Sequence, residues 1–373
     1  MRNGLRLTLA RWMETVAACL AVGGLLLAAG CQESPRANGL DPLKTPTETT
    51  MRKDGPPRKV IVGTVCHSMY GKFPGLTQRC EELGALVDRI AAQAKEKCGR
   101  GPDLVVLSEF SLNDMHLPLA QHAIPLDSPA FEYFQKKARE HHTYLVIPAV
   151  VSDGKQYGNA AFLLDRDGKR IGRYDKVHAV PDAPPASTFE GGTTPGTAYP
   201  VFDCDFGRVG IQICFDYMHE EGWHALAAQG AELVVHPSQS PSVSVNAARA
   251  FNNHIYVVSS TWRDNASILE PTGMVAAQIK PPQEILVHQI DLEYRLLPWE
   301  GRLRDGAALK EKYGQDVGFN YYPSEDMGVF WSNNPAIPID AMVRWLGIQT
   351  HDEYVARATR MYRELKPKNA PPK

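Results

Sequence analysis

The chain is predicted to fold as a layered α/β protein, on three observations. Strand-like aliphatic runs alternate with segments of helical periodicity over most of its length. Residues 104–107 are four consecutive aliphatics, the pattern of a strand covered on both faces. Polar, reactive side chains then recur at strand ends, where α/β sheets meet their ligands.

The elements follow in chain order. Residues 60–65 read as a first strand. Residues 76–97 carry Leu83, Leu86, Val87, Ile90, Ala91 and Ala94 at helical spacing, and Gly99-Arg-Gly-Pro102 ends that helix. Strand 104–107 comes next, then helix 129–140 and strand 144–151. Residues 158–164 and 169–173 form a hairpin around Asp165-Arg-Asp-Gly168, whose Asp-Gly supplies the turn. Residues 209–213 include three β-branched aliphatics, as a buried strand would. Helix 220–230, strand 233–236, helix 245–253 and strand 255–260 continue the alternation. A hairpin over 267–277 turns at Pro271-Thr-Gly273, and strand 285–291 closes the sheet. From Tyr294 onward the chain reads as irregular and rich in aromatics and Pro, ending in a helix over 352–365.

The N-terminus lies outside this pattern. Arg2, Arg6 and Arg11 precede an apolar run over 16–29, and Leu27-Ala-Ala-Gly-Cys31 ends it, so residues 1–30 read as a signal peptide. The ending resembles a bacterial lipobox in which Cys31 becomes the lipidated first residue, with Ala28 where Leu is usual and Leu27 one position further out. An ordinary cleaved signal peptide is the plainer reading. Residues 31–57, rich in Pro, Thr and charge, then form a flexible tether. The expected address is the bacterial cell envelope, anchored to the membrane through lipid on Cys31. A formal net charge of −2 gives no electrostatic reason to expect nucleic acid as a partner. No CxxC or His-rich cluster suggests a metal, and disulfide connectivity among Cys66, Cys80, Cys98 and Cys204 cannot be read from spacing.

Three strand-end residues carry the chemistry. Glu109 follows Leu-Val-Val-Leu-Ser, Lys176 follows the hairpin strand, and Cys214 follows Gly-Ile-Gln-Ile. Each has an ordinary explanation alone: a capping carboxylate, a solvated edge lysine, a core cysteine. A Glu and a Lys meeting at one sheet edge would justify each other's burial, and a thiol beside them would have a base and a fixed positive charge. His67, His178, His219 and His236 are candidate pocket residues, each with the plainer reading of a hydrogen-bonded histidine.

Six stretches in order make the chain resemble the nitrilase, or carbon-nitrogen hydrolase, superfamily. They are Asp103-Leu-Val-Val-Leu-Ser-Glu-Phe110, Gly172-Arg-Tyr-Asp-Lys-Val-His178, Gly210-Ile-Gln-Ile-Cys-Phe-Asp216, Gly230-Ala-Glu-Leu-Val-Val-His-Pro-Ser238, Ala248-Arg-Ala250 and Glu270-Pro-Thr-Gly273. The resemblance implies a four-layer α-β-β-α sandwich over residues 58–295, with 296–373 as an extension that packs on it or forms an oligomer contact. It implies Glu109 as general base, Lys176 as stabiliser of the tetrahedral intermediate and Cys214 as nucleophile. Glu190, in Thr188-Phe-Glu-Gly-Gly192, is the counterpart of a second active-site glutamate, and the backbone N–H of Phe215 is an oxyanion donor. No cofactor and no metal are implied, and a homodimer or larger homo-oligomer is.

The expected function is therefore hydrolysis of a non-peptide C–N bond of a small amide, carbamoyl compound or nitrile. An acyltransferase using the same thioester, and a non-catalytic binding lipoprotein on this scaffold, are the alternatives. Two positions depart from the family pattern: His224 where an Arg is usual, and Asn252-Asn253 where Glu-Asn is usual. Both bear on the substrate mouth and leave the substrate unnamed.

Overall fold

The computed structural model describes residues 57–369. The signal peptide, Cys31 and all but the last residue of the tether lie outside the described residues. β1 (Lys59–Val65), β2 (Leu104–Val106), β3 (Tyr144–Ser152), β4 (Tyr157–Leu164) and β5 (Arg170–Asp175) build a first sheet. β6 (Val201–Asp203), β7 (Arg208–Ile211), β8 (Leu233–Pro237), β9 (Tyr256–Ser260), β10 (Ser267–Leu269) and β11 (Val275–Gln278) build a second, ordered β11-β10-β9-β8-β7-β6. The chain returns to the first sheet with β12 (Ile285–Asp291), giving β12-β1-β2-β3-β4-β5. A two-residue strand, Ile124–Pro125, pairs beside β3.

Period-two patterning explains the layering. On β1, Ile61 and Val65 face Leu83, Val87 and Ile90 of helix α1 (Leu76–Cys98), which with α2 (Pro129–His141) covers the outer face. Val60 and Val62 face inward with Leu104, Val106 and Val146, against Val209, Ile211, Val235 and Val258 of the second sheet. Helices α3 (Glu220–Ala228) and α4 (Val243–Asn253) seal that sheet's other face through Trp223, Leu226 and Ala250. The result is the four-layer α-β-β-α sandwich. Gly63 lets α1 approach closely, since a Cβ there would sit 2.3 Å from Ile90 Cγ2. α1 stops where expected, at Gly99 in the left-handed region, and Ser128 caps α2 ahead of Pro129.

Two expectations are corrected. The 209–213 strand is cut short: β7 ends at Ile211, because Ile213 N–H turns to bond Asp216 Oδ2 rather than a neighbouring strand. The region after Tyr294 is regular. β13 (Tyr294–Pro298), helix α5 (Ala307–Tyr313), β14 (Val317–Tyr322), β15 (Met327–Ser332), α6 (Ile339–Leu346) and α7 (His351–Asn369) follow one another, and the strands pair antiparallel as β13-β15-β14. Leu297, Leu309, Val317, Phe330, Ile339 and Met342 give this sheet its own core. Aromatic side chains on both faces of 317–322, Phe319 and Tyr321 on one and Tyr322 on the other, blur the strand pattern. β14 also reaches the sandwich: Asn320 Nδ2 donates to Glu270 Oε1 at 2.5 Å and Tyr322 Oη donates to Oε2 at 2.9 Å. Among the described residues, no helix is long and apolar enough to cross a membrane. Cys66, Cys80, Cys98, Cys204 and Cys214 are all free thiols.

Candidate active site

Parallel pairing of β1 with β2 and of β2 with β3 aligns their C-terminal ends, and Glu109 leaves β2 there, fully buried. Trp262 Nε1 donates to its carbonyl at 2.7 Å and fixes the backbone. Lys176 leaves β5 at the antiparallel partner position of Asn159 on β4, its N–H donating to the Asn159 carbonyl at 2.9 Å. The Lys176 ammonium, 1% exposed, donates to Glu109 Oε1 at 2.8 Å and Glu190 Oε1 at 2.5 Å. Asn159 Nδ2 bridges the same carboxylates, 2.9 Å from Glu109 Oε1 and 3.0 Å from Glu190 Oε2. One ammonium and one amide thus link the two carboxylates, the ammonium balancing one of the two charges, while Glu109 Oε2 keeps no hydrogen-bond partner.

Cys214 opens a 3₁₀ turn over Cys214–Met218, at φ 43°. Phe110 and Glu190 share that left-handed region at φ 55° and 45°, so three residues of the site each carry backbone strain of order 1–3 kcal/mol. Asp216, fully buried, organises the turn. It accepts from Ile213 N at 2.8 Å, Tyr174 Oη at 2.7 Å and His178 N at 2.8 Å. His178 stacks on His219 with ring centroids 3.8 Å apart, and His219 meets the Phe215 ring edge-on. Phe215 follows Cys214 within the turn, so its N–H leaves the backbone one residue beyond the thiol.

The electrostatics favour a proton held in place until attack. Burial raises the Glu109 carboxyl above its ordinary pKa, Lys176 opposing and Glu190 adding to it. Burial acts to lower Lys176, but Glu109, Cys214 and Glu190 outweigh it and hold the ammonium firmly charged. The Cys214 thiol is pushed up to about 12 by burial and by the Glu109 charge, against Lys176 and a hydrogen bond to Ser238. Cys214 therefore rests as a thiol. Glu109 Oε2 is buried with no hydrogen-bond partner, which leaves an acceptor of raised basicity inside the site.

The structure brings Glu109, Lys176, Glu190 and Cys214 together, with Phe215 adjacent. Sequence reasoning missed Asn159, Trp262 and Asp216 as partners of the site. Of the histidines, His236 supports the nucleophile's backbone: Nε2 donates to the Cys214 carbonyl at 2.9 Å while Nδ1 accepts from Asn246 Nδ2 at 3.1 Å. His67 bonds Glu284 instead. At the two departures from the family pattern, His224 is exposed and Asn252 Nδ2 donates to Glu220 Oε1 at 2.7 Å.

His236 also sets a pH dependence. Burial pushes its pKa down to about 4, against an unfolded value of about 6.5. The unfolded chain therefore binds more protons between those values, so this contribution is present above about pH 6.5 and is lost as pH falls toward 4. Urea unfolding at pH 7 and pH 4.5 should show His236→Gln flattening the acid loss by about 2 kcal/mol. An unchanged slope in the variant would remove His236 from that role.

The carbon-nitrogen hydrolase family model matches residues 73–295. Omega-amidase NIT2-A of Xenopus laevis is 27% identical over 233 residues, covering 56% of this chain and 83% of that protein. An apolipoprotein N-acyltransferase of Geobacter metallireducens is 28% identical over 265 residues, 63% of this chain but only 46% of that protein. Among solved structures, Saccharomyces cerevisiae Nit3, of branch 10 of the nitrilase superfamily, superposes with TM-score 0.53 at 21% identity, covering 62% of this chain and 90% of that one. A carbon-nitrogen hydrolase from Helicobacter pylori superposes with TM-score 0.54 at 18% identity, covering 63% and 90%. With the family model matched over more than half its length and an α-β-β-α sandwich beneath it, this chain belongs to the carbon-nitrogen hydrolase family, as an amidase- or nitrilase-type hydrolase acting on C–N bonds other than peptide bonds.

Proposed function

We propose that the protein hydrolyses the C–N bond of a small amide-type molecule through a thioester on Cys214, with no cofactor. The observation that carries the reading is the buried Glu109–Lys176–Glu190 set, joined at 2.8 and 2.5 Å, beside the strained turn that presents the thiol. Glu109 Oε2 takes the thiol proton as sulfur adds to the carbonyl carbon. The oxyanion that forms is met by the Lys176 ammonium and the Phe215 N–H, an arrangement worth about 3–4 kcal/mol per well-placed donor. Glu109 returns the proton to the departing nitrogen, the C–N bond breaks, and an amine and the thioester result. Glu109 then removes a proton from water as it attacks the thioester, releasing the acid and restoring the thiol. Glu190 holds Lys176 in place.

Acyl transfer to an amine is the second reading, favoured by the resemblance to the apolipoprotein N-acyltransferase. Intact-mass spectrometry after mixing with small aliphatic amides tests both readings. An adduct on Cys214 that gives free acid in water supports hydrolysis. One discharged only by added amine supports transfer, and no adduct with any amide, carbamoyl compound or nitrile leaves a binding protein.

The proposed setting is the bacterial cell envelope, with the chain anchored by lipid on Cys31 and assembled at least as a homodimer. The basic leader, the apolar run and Cys31 support that address. Expressed full-length, the chain should partition into detergent on Triton X-114 phase separation, and Cys31→Ser should move it to the aqueous phase. Equal partitioning of the two would defeat the anchor.

A further inference from the structure

We propose that His254, His351 and Asp352 form a binding site for a divalent transition-metal ion of the Zn2+ class, stapling the C-terminal helix α7 to the end of α4. The three ligand atoms lie within 4.8 Å of one another: His254 Nδ1 is 2.8 Å and His351 Nδ1 3.8 Å from Asp352 Oδ1. Ligands about 2.0–2.1 Å from a tetrahedral ion sit about 3.3 Å apart, between those two separations, so small side-chain shifts would close the set. Two imidazoles and a carboxylate are the donor set such ions select, with water completing the shell.

Two independent features point to a ligand rather than a plain ion pair. His351 Nδ1 is buried and makes no hydrogen bond, so one nitrogen of the cluster is left unsatisfied beside a carboxylate already used by His254. Both ligand-bearing segments also have a local backbone geometry set by helix caps. His254 is the left-handed cap of α4, at φ 50°, and its ring meets the His351 ring edge-on with centroids 4.9 Å apart. His351 and Asp352 lie inside a reciprocal capping box, Thr350 N–H donating to Glu353 Oε2 at 2.9 Å and Glu353 N–H to Thr350 Oγ1 at 3.3 Å.

The staple has a mechanical reason. Over 351–365, α7 places no side chain in the buried class, so apolar packing alone holds it weakly. The one other comparable cluster among the described residues, Asp88, Glu140 and His141, already holds a cation, because Lys137 Nζ lies 2.7 Å from Asp88 Oδ1 and 3.2 Å from Glu140 Oε2. His351 and Asp352 fall outside the stretch matched to the family and His254 inside it, so the site would join the extension to the family domain.

The test is calorimetric titration of Zn2+ into the untagged, chelator-stripped chain, with Co2+ absorption as a second readout. One equivalent should bind, and limited proteolysis should cut α7 more slowly once metal is added. His351→Ala and Asp352→Asn should each weaken binding at least tenfold and abolish that protection, while His141→Ala should change neither. Asp352→Asn alters an exposed residue and keeps the test valid if His351→Ala fails to fold. No binding by the parent chain, or binding that His351→Ala and Asp352→Asn leave unchanged, would overturn the proposal and reduce the cluster to an ion pair.

Discussion

Replacing Lys176 with methionine is expected to lower turnover by about 10²–10³-fold and to cost the fold about 3–5 kcal/mol. Methionine keeps most of the volume and removes the charge, so both effects trace to one ammonium. Its loss removes the cation facing the oxyanion. It also leaves Glu109 and Glu190 buried together with only the Asn159 amide between them, at 2.9 and 3.0 Å. Without the opposing ammonium, burial and the neighbouring carboxylate push Glu109 further toward its protonated form, which spoils the base as well. Steady-state kinetics on a responsive amide and urea unfolding at pH 7 read the two losses separately. A variant within tenfold of the parent in turnover would show that Lys176 faces no developing charge.

Cys214→Ser should reduce turnover by on the order of 10⁴-fold or more while shifting stability by less than about 1 kcal/mol. The hydroxyl fits the space but ionises far less readily than the thiol, and a carboxylate base such as Glu109 cannot compensate. The acyl adduct should vanish from intact-mass spectra. Undiminished activity on the native substrate would sink the assignment of Cys214 as nucleophile. Because the two variants fail differently, one with loss of stability and one without, they separate the electrostatic frame from the bond-forming atom.

Much of this was legible in the sequence for a physical reason. Strands covered on both faces are written as unbroken aliphatic runs, and those runs end where the chemistry begins, at Glu109, Lys176 and Cys214. What was hidden depends on pairing across long separations. Asn159 gains its place only because β4 and β5 set it opposite Lys176, and Trp262 reaches Glu109 across 153 positions. Neither contact leaves a local pattern. Asp216 was visible in the motif, but its turn-building role depends on Tyr174 and His178, donated from another sheet. The C-terminal sheet escaped notice because its strands carry aromatic residues on both faces, so period two is blurred.

The link from Glu270 to Asn320 and Tyr322 bears on how divisible this protein is. Glu270 belongs to a stretch shared with the family, yet both its carboxylate oxygens are satisfied by side chains lying beyond the family match. Its acid is nearly buried, and burial already raises its pKa. A chain shortened to end at residue 295 would retain every proposed catalytic residue and still cost that acid two of its donors, leaving Thr272. The extension therefore supplies polar partners that a buried acid of the sandwich uses.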